Sequence, residues 1–162
     1  MNRIAPTLLA LIATAGIAHA QGGAPVAPIA DSLDRFGLKI LSKAVVDTGL
    51  ATALRGKGPY TIFAPSSSAF IMLGKAKREA LLADKKALKA VLLNHVVAGT
   101  YTAADLSKLK NNSTLKTLGG GVIHVKTKGT LLIESSRPVM PDQKVSNGVL
   151  HVMDRVLMPA GK

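Results

Sequence analysis

Apolar positions along the chain change period once. From Asp31, Leu33, Phe36, Ile40, Leu41, Ala44 and Val45 recur at three- and four-residue steps, which predicts a helix closed by Gly49. Residues 50–54 predict a short further turn of helix. Gly56-Lys57-Gly58-Pro59 then breaks the chain ahead of an apolar strand over residues 60–64, which carries Thr61, Phe63 and Ala64 and is stopped by Pro65. Ser66, Ser67 or Ser68 is placed to cap the next helix by accepting a backbone N–H, and Ala69, Phe70, Met72 and Leu73 form its expected buried side. Residues 75–82 are polar and basic, with Ala80, Leu81 and Leu82 as the apolar contribution. After Asp84 a stronger helix sets Leu88, Val91 and Leu92 on one face and Lys85, Lys86 and Lys89 on the other.

Beyond His95-Val96-Val97 the pattern turns strand-like. Thr102 with Asp105 resembles a capping box for one short helix. Residues 113–118, 122–126, 131–134 and 145–156 then form β-prone runs separated by Gly119-Gly120-Gly121, Lys128-Gly129 and Arg137-Pro138. Helices first and strands second is an α+β order. The last run reads as a turn at Asn147-Gly148 followed by a buried strand containing Val149, Leu150, Val152, Met153, Val156 and Leu157, with Pro159 ending the pairing. His151 and Asp154 interrupt that apolar run, and a buried imidazole or carboxylate is costly unless hydrogen-bonded. His151 is therefore expected to be buried and hydrogen-bonded, holding the terminal strand against the helical layer or against the Phe63 strand.

The first twenty residues stand apart. Arg3, the apolar middle of residues 8–13 and Ala18-His19-Ala20 have the order of a secretory signal peptide, which predicts cleavage before Gln21. The apolar stretch is short for a bilayer span, which takes about 20 apolar residues. Residues 21–30, rich in Gly, Ala and Pro, read as a flexible leader, and residues 31–160 as one domain. The expected product is secreted or periplasmic.

Composition removes several functions. The absence of cysteine leaves no disulfide framework, thiol nucleophile or thiolate metal site. Ser66, Ser67 and Ser68 lie outside any Gly-x-Ser-x-Gly elbow, so capping accounts for them. His95, His124 and His151 lack metal-ligand spacing and read as structural. Nine acidic residues, mostly at helix starts or on surfaces, offer no carboxylate pair for acid–base work. Neither an enzyme nor a cofactor is expected. The 21 basic residues set the formal charge at +12, spread over Lys75, Lys77, Arg78, Lys85, Lys86, Lys89, Lys108, Lys110, Lys116, Lys126 and Lys128. Such an excess serves solubility or attracts an anionic surface. With export, little arginine and no stacking stripe of aromatics, envelope polysaccharide or lipid headgroups fit better than nucleic acid.

Thr61-Ile62-Phe63-Ala64-Pro65-Ser66 with Ala69-Phe70, and Asn147-Gly148-Val149-Leu150-His151-Val152-Met153-Asp154 with Val156-Leu157-Met158-Pro159, resemble the paired boxes of the fasciclin domain. Between them, residues 92–99 and 101–106 resemble the family's central tyrosine–histidine segment, with Asn94 where many members carry tyrosine. The resemblance implies a wedge-shaped β-sandwich with a layer of short helices. It further implies an adhesion or matrix-interaction module whose partner is a cell-surface or matrix protein. Asn94 and His95 of the central segment are candidate contacts, although only His95 matches the family's pattern and its receptor engagement is not carried over, and the charge argument adds Lys85, Lys86 and Lys89. Some fasciclin-type proteins carry carotenoid-like pigments, so a second expectation is an apolar small molecule in a groove. The Gly-rich turn and the Met-bearing segments would permit such a groove.

Overall fold

A computed structural model describes residues 27–159. The expected signal peptide, and the leader up to residue 26, lie outside the described residues. The packed core begins at Ile29, fully buried and two residues ahead of the boundary drawn at 31.

The chain runs through α1 (Ile29–Ser32), a 3-10 turn (Asp34–Phe36), α2 (Lys39–Asp47), α3 (Leu50–Leu54), β1 (Tyr60–Pro65), α4 (Ser67–Met72), α5 (Lys75–Ala83) and α6 (Lys85–Asn94). After these come β2 (Val96–Ala98), α7 (Ala103–Lys108), β3 (Ser113–Lys116), β4 (Val122–Lys126), β5 (Leu132–Ile133), β6 (Pro138–Val145) and β7 (Gly148–Met153). Among the described residues the strands form a four-stranded sheet, β2-β1-β7-β6, and a three-stranded sheet, β3-β4-β5. Leu118 N–H donates to the Val96 carbonyl at 2.8 Å and links the two sheets.

β1 and β7 are parallel neighbours at the centre of the larger sheet, with Ile62 opposite Leu150, Phe63 opposite His151 and Ala64 opposite Val152. Alternation divides their side chains between two cores. Ile62, Ala64, Leu150 and Val152 pack into the cluster built with the helices, which includes Phe70, Leu88 and Leu92. Phe63 and Met153 point the other way, into a smaller cluster with Val97, Leu106, Ile123, Val125 and Ile133. Strands buried on both faces need apolar residues at nearly every position, which is why both read as continuous hydrophobic runs.

Capping is as the sequence requires. Ser66 Oγ accepts from Ala69 N–H at 3.1 Å, Asp84 accepts from Lys86 and Ala87 N–H at 3.0 Å, and Thr102 and Asp105 form a reciprocal capping box. Gly49 has φ 72° after α2.

Four expectations change. The helical period from Asp31 is split into α1, a 3-10 turn and α2, because Gly37 takes the left-handed conformation at φ 72°. β6 has no counterpart in the predicted strands: Pro138 and Pro141 interrupt it, its side chains are mostly exposed, and two register shifts break its pairing with β7. Those are features of a sheet edge. β7 ends at Met153, six residues before Pro159, because Asp154 Oδ1 turns aside to accept from Ser136 Oγ at 2.9 Å and Arg137 N–H at 2.8 Å. Val156 and Leu157 are still buried, as an extended tail rather than as strand. Met72, Ala80 and Leu82 are exposed, leaving Ala69, Phe70 and Leu81 as the buried contacts of α4 and α5.

Candidate functional site

The boxes that resemble the fasciclin domain meet in space as a set of buried polar joints. At the first, Thr61 in β1 is fully buried, its Oγ1 donating to the Gly99 carbonyl at 2.7 Å and accepting from Tyr101 N–H at 2.9 Å. The next residue pair inward is Phe63 and His151, stacked with ring centroids 5.6 Å apart. His151 is 1% exposed, with Nε2 2.7 Å from the Tyr101 carbonyl and Nδ1 accepting from Asp142 N–H at 3.2 Å. An acceptor at Nδ1 and a carbonyl at Nε2 require the neutral ring with its proton on Nε2. Burial pushes its pKa down, against the opposing pull of the Tyr101 carbonyl and the nearby Asp142 carboxylate. The expected hydrogen-bonded imidazole is present. It ties β7 to the Phe63 strand, to the segment before α7 and to the β6 edge.

A second joint is built from His95, 1% exposed. Nδ1 lies 2.7 Å from the Val91 carbonyl and Nε2 accepts from Leu157 N–H at 2.8 Å, so this ring is also neutral, with its proton on Nδ1. Burial lowers its pKa to about 4, with the Val91 carbonyl opposing. Asn94 is 5% exposed and makes long 3.4 Å contacts to the Leu157 carbonyl and Thr117 Oγ1. These two side chains were candidate partner contacts; the fold turns both inward, where they fasten the end of α6 to the C-terminal tail. Short chains of branched aliphatics on either side bury them, since Val91, Leu92, Val96 and Val97 are all core residues.

Asn147 does more than turn the chain. The loop between β6 and β7 is Ser146-Asn147, and Asn147 is buried. Its Oδ1 accepts from Ile29 N–H at 3.0 Å and its Nδ2 donates to the Leu54 and Gly56 carbonyls at 2.7 and 2.9 Å. Gly148 is required by close approach: a Cβ there would collide with the Tyr60 carbonyl across the β1–β7 pairing. Phe70, Ala64 and Pro65 lie in the core or the strand, while Pro159 is exposed on the tail.

Between α6, the glycine turn and the tail runs a groove of about 570 Å³ lined by Ala90, Asn94, residues 119–121, Val122, His124, Glu134, Met158 and Pro159. Gly121 lets the turn close on α6, since a Cβ there would sit 3.0 Å from Asn94 Oδ1. Its polar end is the His124–Glu134 pair, with Glu134 Oε1 3.0 Å from Nδ1 and accepting the His124 N–H at 2.7 Å. Val122 and Met158 are among the exposed large hydrophobic residues of the described chain. Sequence reasoning did not place His124 and Glu134 together. Their separation of ten residues carries no motif, and Glu134 reaches His124 through a left-handed backbone at φ 57°.

Lys85, Lys86 and Lys89 lie on the solvent face of α6, opposite buried Leu88, Val91 and Leu92. Among the described residues no ion pair involves them. No group of three His, Asp or Glu side chains able to hold a metal gathers among the described residues.

Residues 36–159 match the model of the fasciclin domain. The chain is 33% identical to the Synechocystis protein sll1735 over 82% of this chain and 96% of that one. It is 33% identical to the pig transforming growth factor-beta-induced protein ig-h3 over 74% of this chain but 17% of the longer protein. It is 32% identical to the cell surface glycolipoprotein MPB83 of Mycobacterium bovis, over 70% of this chain and 49% of that one. In structure it resembles a FAS1 domain pair from the insect cell adhesion molecule fasciclin I, with a TM-score of 0.69, 18% identity, and coverage of 82% of this chain and 51% of that one. With the α+β sandwich, the buried boxes and these similarities together, the chain belongs to the fasciclin domain family.

Proposed function

We propose that this chain is an exported, non-catalytic fasciclin module that acts in cell-surface adhesion or in the extracellular or periplasmic matrix, meeting a surface protein or anionic envelope polysaccharide or lipid. The names of its relatives, a cell surface glycolipoprotein and a cell adhesion molecule, support the general setting. No described helix is long and apolar enough to cross a membrane. The observation that carries the reading is the solvent face of α6, where Lys85, Lys86 and Lys89 stand together without a paired carboxylate. Contacts made by such lysines are screened over about 8 Å at physiological ionic strength, so binding should weaken steeply with salt. Retention on envelope fractions at two salt concentrations tests this. Salt-insensitive retention returns the charge to a solubility role, and retention untouched by reversing the three lysines to glutamate removes the α6 face as the contact. Export is tested by intact mass: a mature protein starting at Gln21 supports it, and Met1 retained in a membrane fraction overturns it.

A second reading, an apolar carotenoid- or lipid-like molecule, is supported by the groove beside α6, where Ala90, Val122, Met158 and Pro159 supply apolar walls. Visible absorbance of protein purified from its native host discriminates: a pigment band favours the groove ligand, and a colourless protein with no extractable lipid removes it.

A further inference from the structure

Two loops from different elements are tied together at one end of the smaller sheet. Residues 108–110 leave α7, and residues 126–128 leave β4. Thr127 Oγ1 donates to the Leu109 carbonyl at 3.2 Å, and Asn111 Oδ1 accepts from the N–H groups of Thr127 and Lys128 at 3.0 and 3.2 Å. Ser113 holds the first loop from its far side, its Oγ and N–H donating to the Lys110 carbonyl at 2.6 and 3.0 Å. Lys108 and Lys110 flank Leu109, while Lys126 and Lys128 flank Thr127. The contact between those two central residues therefore brings two lysine-bearing loops together at one corner, and all four lysines are exposed.

No carboxylate closes a direct ion pair on this corner among the described residues. Asp105, a turn before Lys108 in α7, accepts from the N–H and hydroxyl of Thr102 and is near enough to Lys108 for the ammonium to help hold its pKa down, while Glu134 Oε1 accepts from His124 N–H. Hydrogen-bonded loops that hold like charges together carry a repulsion that an anionic partner would turn into attraction, and their prior ordering lowers the entropy lost on binding.

We infer that the corner formed by Lys108, Lys110, Lys126 and Lys128 binds an acidic polysaccharide, whose repeated anionic groups engage the amines in succession. This rests on the proposed engagement of anionic envelope material and locates it on the smaller sheet. A polysaccharide suits the corner better than a membrane does. Among the described residues, no exposed large hydrophobic residue falls within 108–113 or 126–130, so the two lysine-bearing loops supply no apolar wedge of their own.

The test compares two triple variants of equal charge change, K110E/K126E/K128E and K85E/K86E/K89E, for retention on immobilised alginate over a salt series. Both are first checked for an unchanged denaturation midpoint; if the corner triple fails to fold, the Lys→Gln set at the same three positions replaces it, against Lys→Gln on α6. Loss of about tenfold or more for the corner triple, with a flatter salt dependence and about twofold loss for the α6 triple, is the expected result. Equal losses, or a larger loss on α6, overturn the corner while leaving anionic binding in place. Wild-type protein that is not retained on alginate at low salt but binds phosphatidylglycerol vesicles overturns the polysaccharide assignment. Wild-type protein that binds neither overturns the broader reading as well.

Discussion

The central sheet of this domain separates two unlike halves. On one face the helices contribute a broad core from Ile29 to Val156 and carry the ion pairs Arg55–Asp31 and Lys43–Asp47, together with the lysines of α6, unpaired among the described residues. On the other face the three-stranded sheet closes a smaller core around Phe63, Ile123 and Ile133, and two joined loops beside it carry the exposed Lys108, Lys110, Lys126 and Lys128. Each half is fastened by one buried neutral histidine, and the two rings use opposite tautomers. His95 ties helix to tail with its proton on Nδ1, and His151 ties strand to loop with its proton on Nε2. The difference teaches that tautomer follows the neighbouring backbone. In each case the ring nitrogen that faces an N–H must remain unprotonated, so one residue type serves two geometries.

Truncating the aromatic anchors would break the comparison most severely. Phe63→Ala and Phe70→Ala each remove a fully buried ring, one from each half, and each should cost about 3–5 kcal/mol. Phe63→Ala should be the worse, because the smaller core has less to close around the void and His151 loses its stacking partner. Denaturant midpoints measure both, and an equal or milder effect at Phe63 would deny the smaller half its dependence on that ring.

Acid should unfasten both halves. His95 has a folded pKa of about 4 against an ordinary 6.5, so between those values the unfolded chain binds the additional proton. Its contribution is fully present above pH 6.5 and is lost as pH falls toward 4, for a total of roughly 3 kcal/mol. His151, also shifted down, adds loss in the same direction. Stability measured from pH 7 to 4 should fall along this window in the wild type, and the fall should be shallower in His95→Gln. A wild-type curve that stays flat down to pH 4 would contradict the neutral rings.

His151→Ala should lower stability by about 1–3 kcal/mol, since it leaves the Tyr101 carbonyl and Asp142 N–H without their buried partner. An unchanged midpoint would show that the joint is dispensable. Smallest of all, reversing Lys85, Lys86 and Lys89 to glutamate should shift stability by no more than about 0.5 kcal/mol, because their side chains face solvent. A larger loss would place those lysines in the fold rather than on a contact surface.

Local patterns in the sequence determined a good deal. The caps at Ser66, Asp84 and Thr102, the strand at Tyr60 and the apolar stripe of α6 depend on neighbours within a few residues, where spacing alone carries the physics. The burial of His151 followed from the cost of a polar ring inside an apolar run. Tertiary structure decided whatever depended on distant partners. Nothing near Asn147 announces that its amide reaches Ile29, Leu54 and Gly56, and nothing near Asn94 and His95 says that they face inward to the tail at Leu157. β6 stayed hidden because an edge strand with two prolines and exposed side chains lacks the alternation that burial imposes. The lysine corner likewise joins residues 18 apart in sequence through the Leu109–Thr127 contact. Charge along a chain is legible in its letters, but its concentration at one place is set by which loops the fold brings side by side.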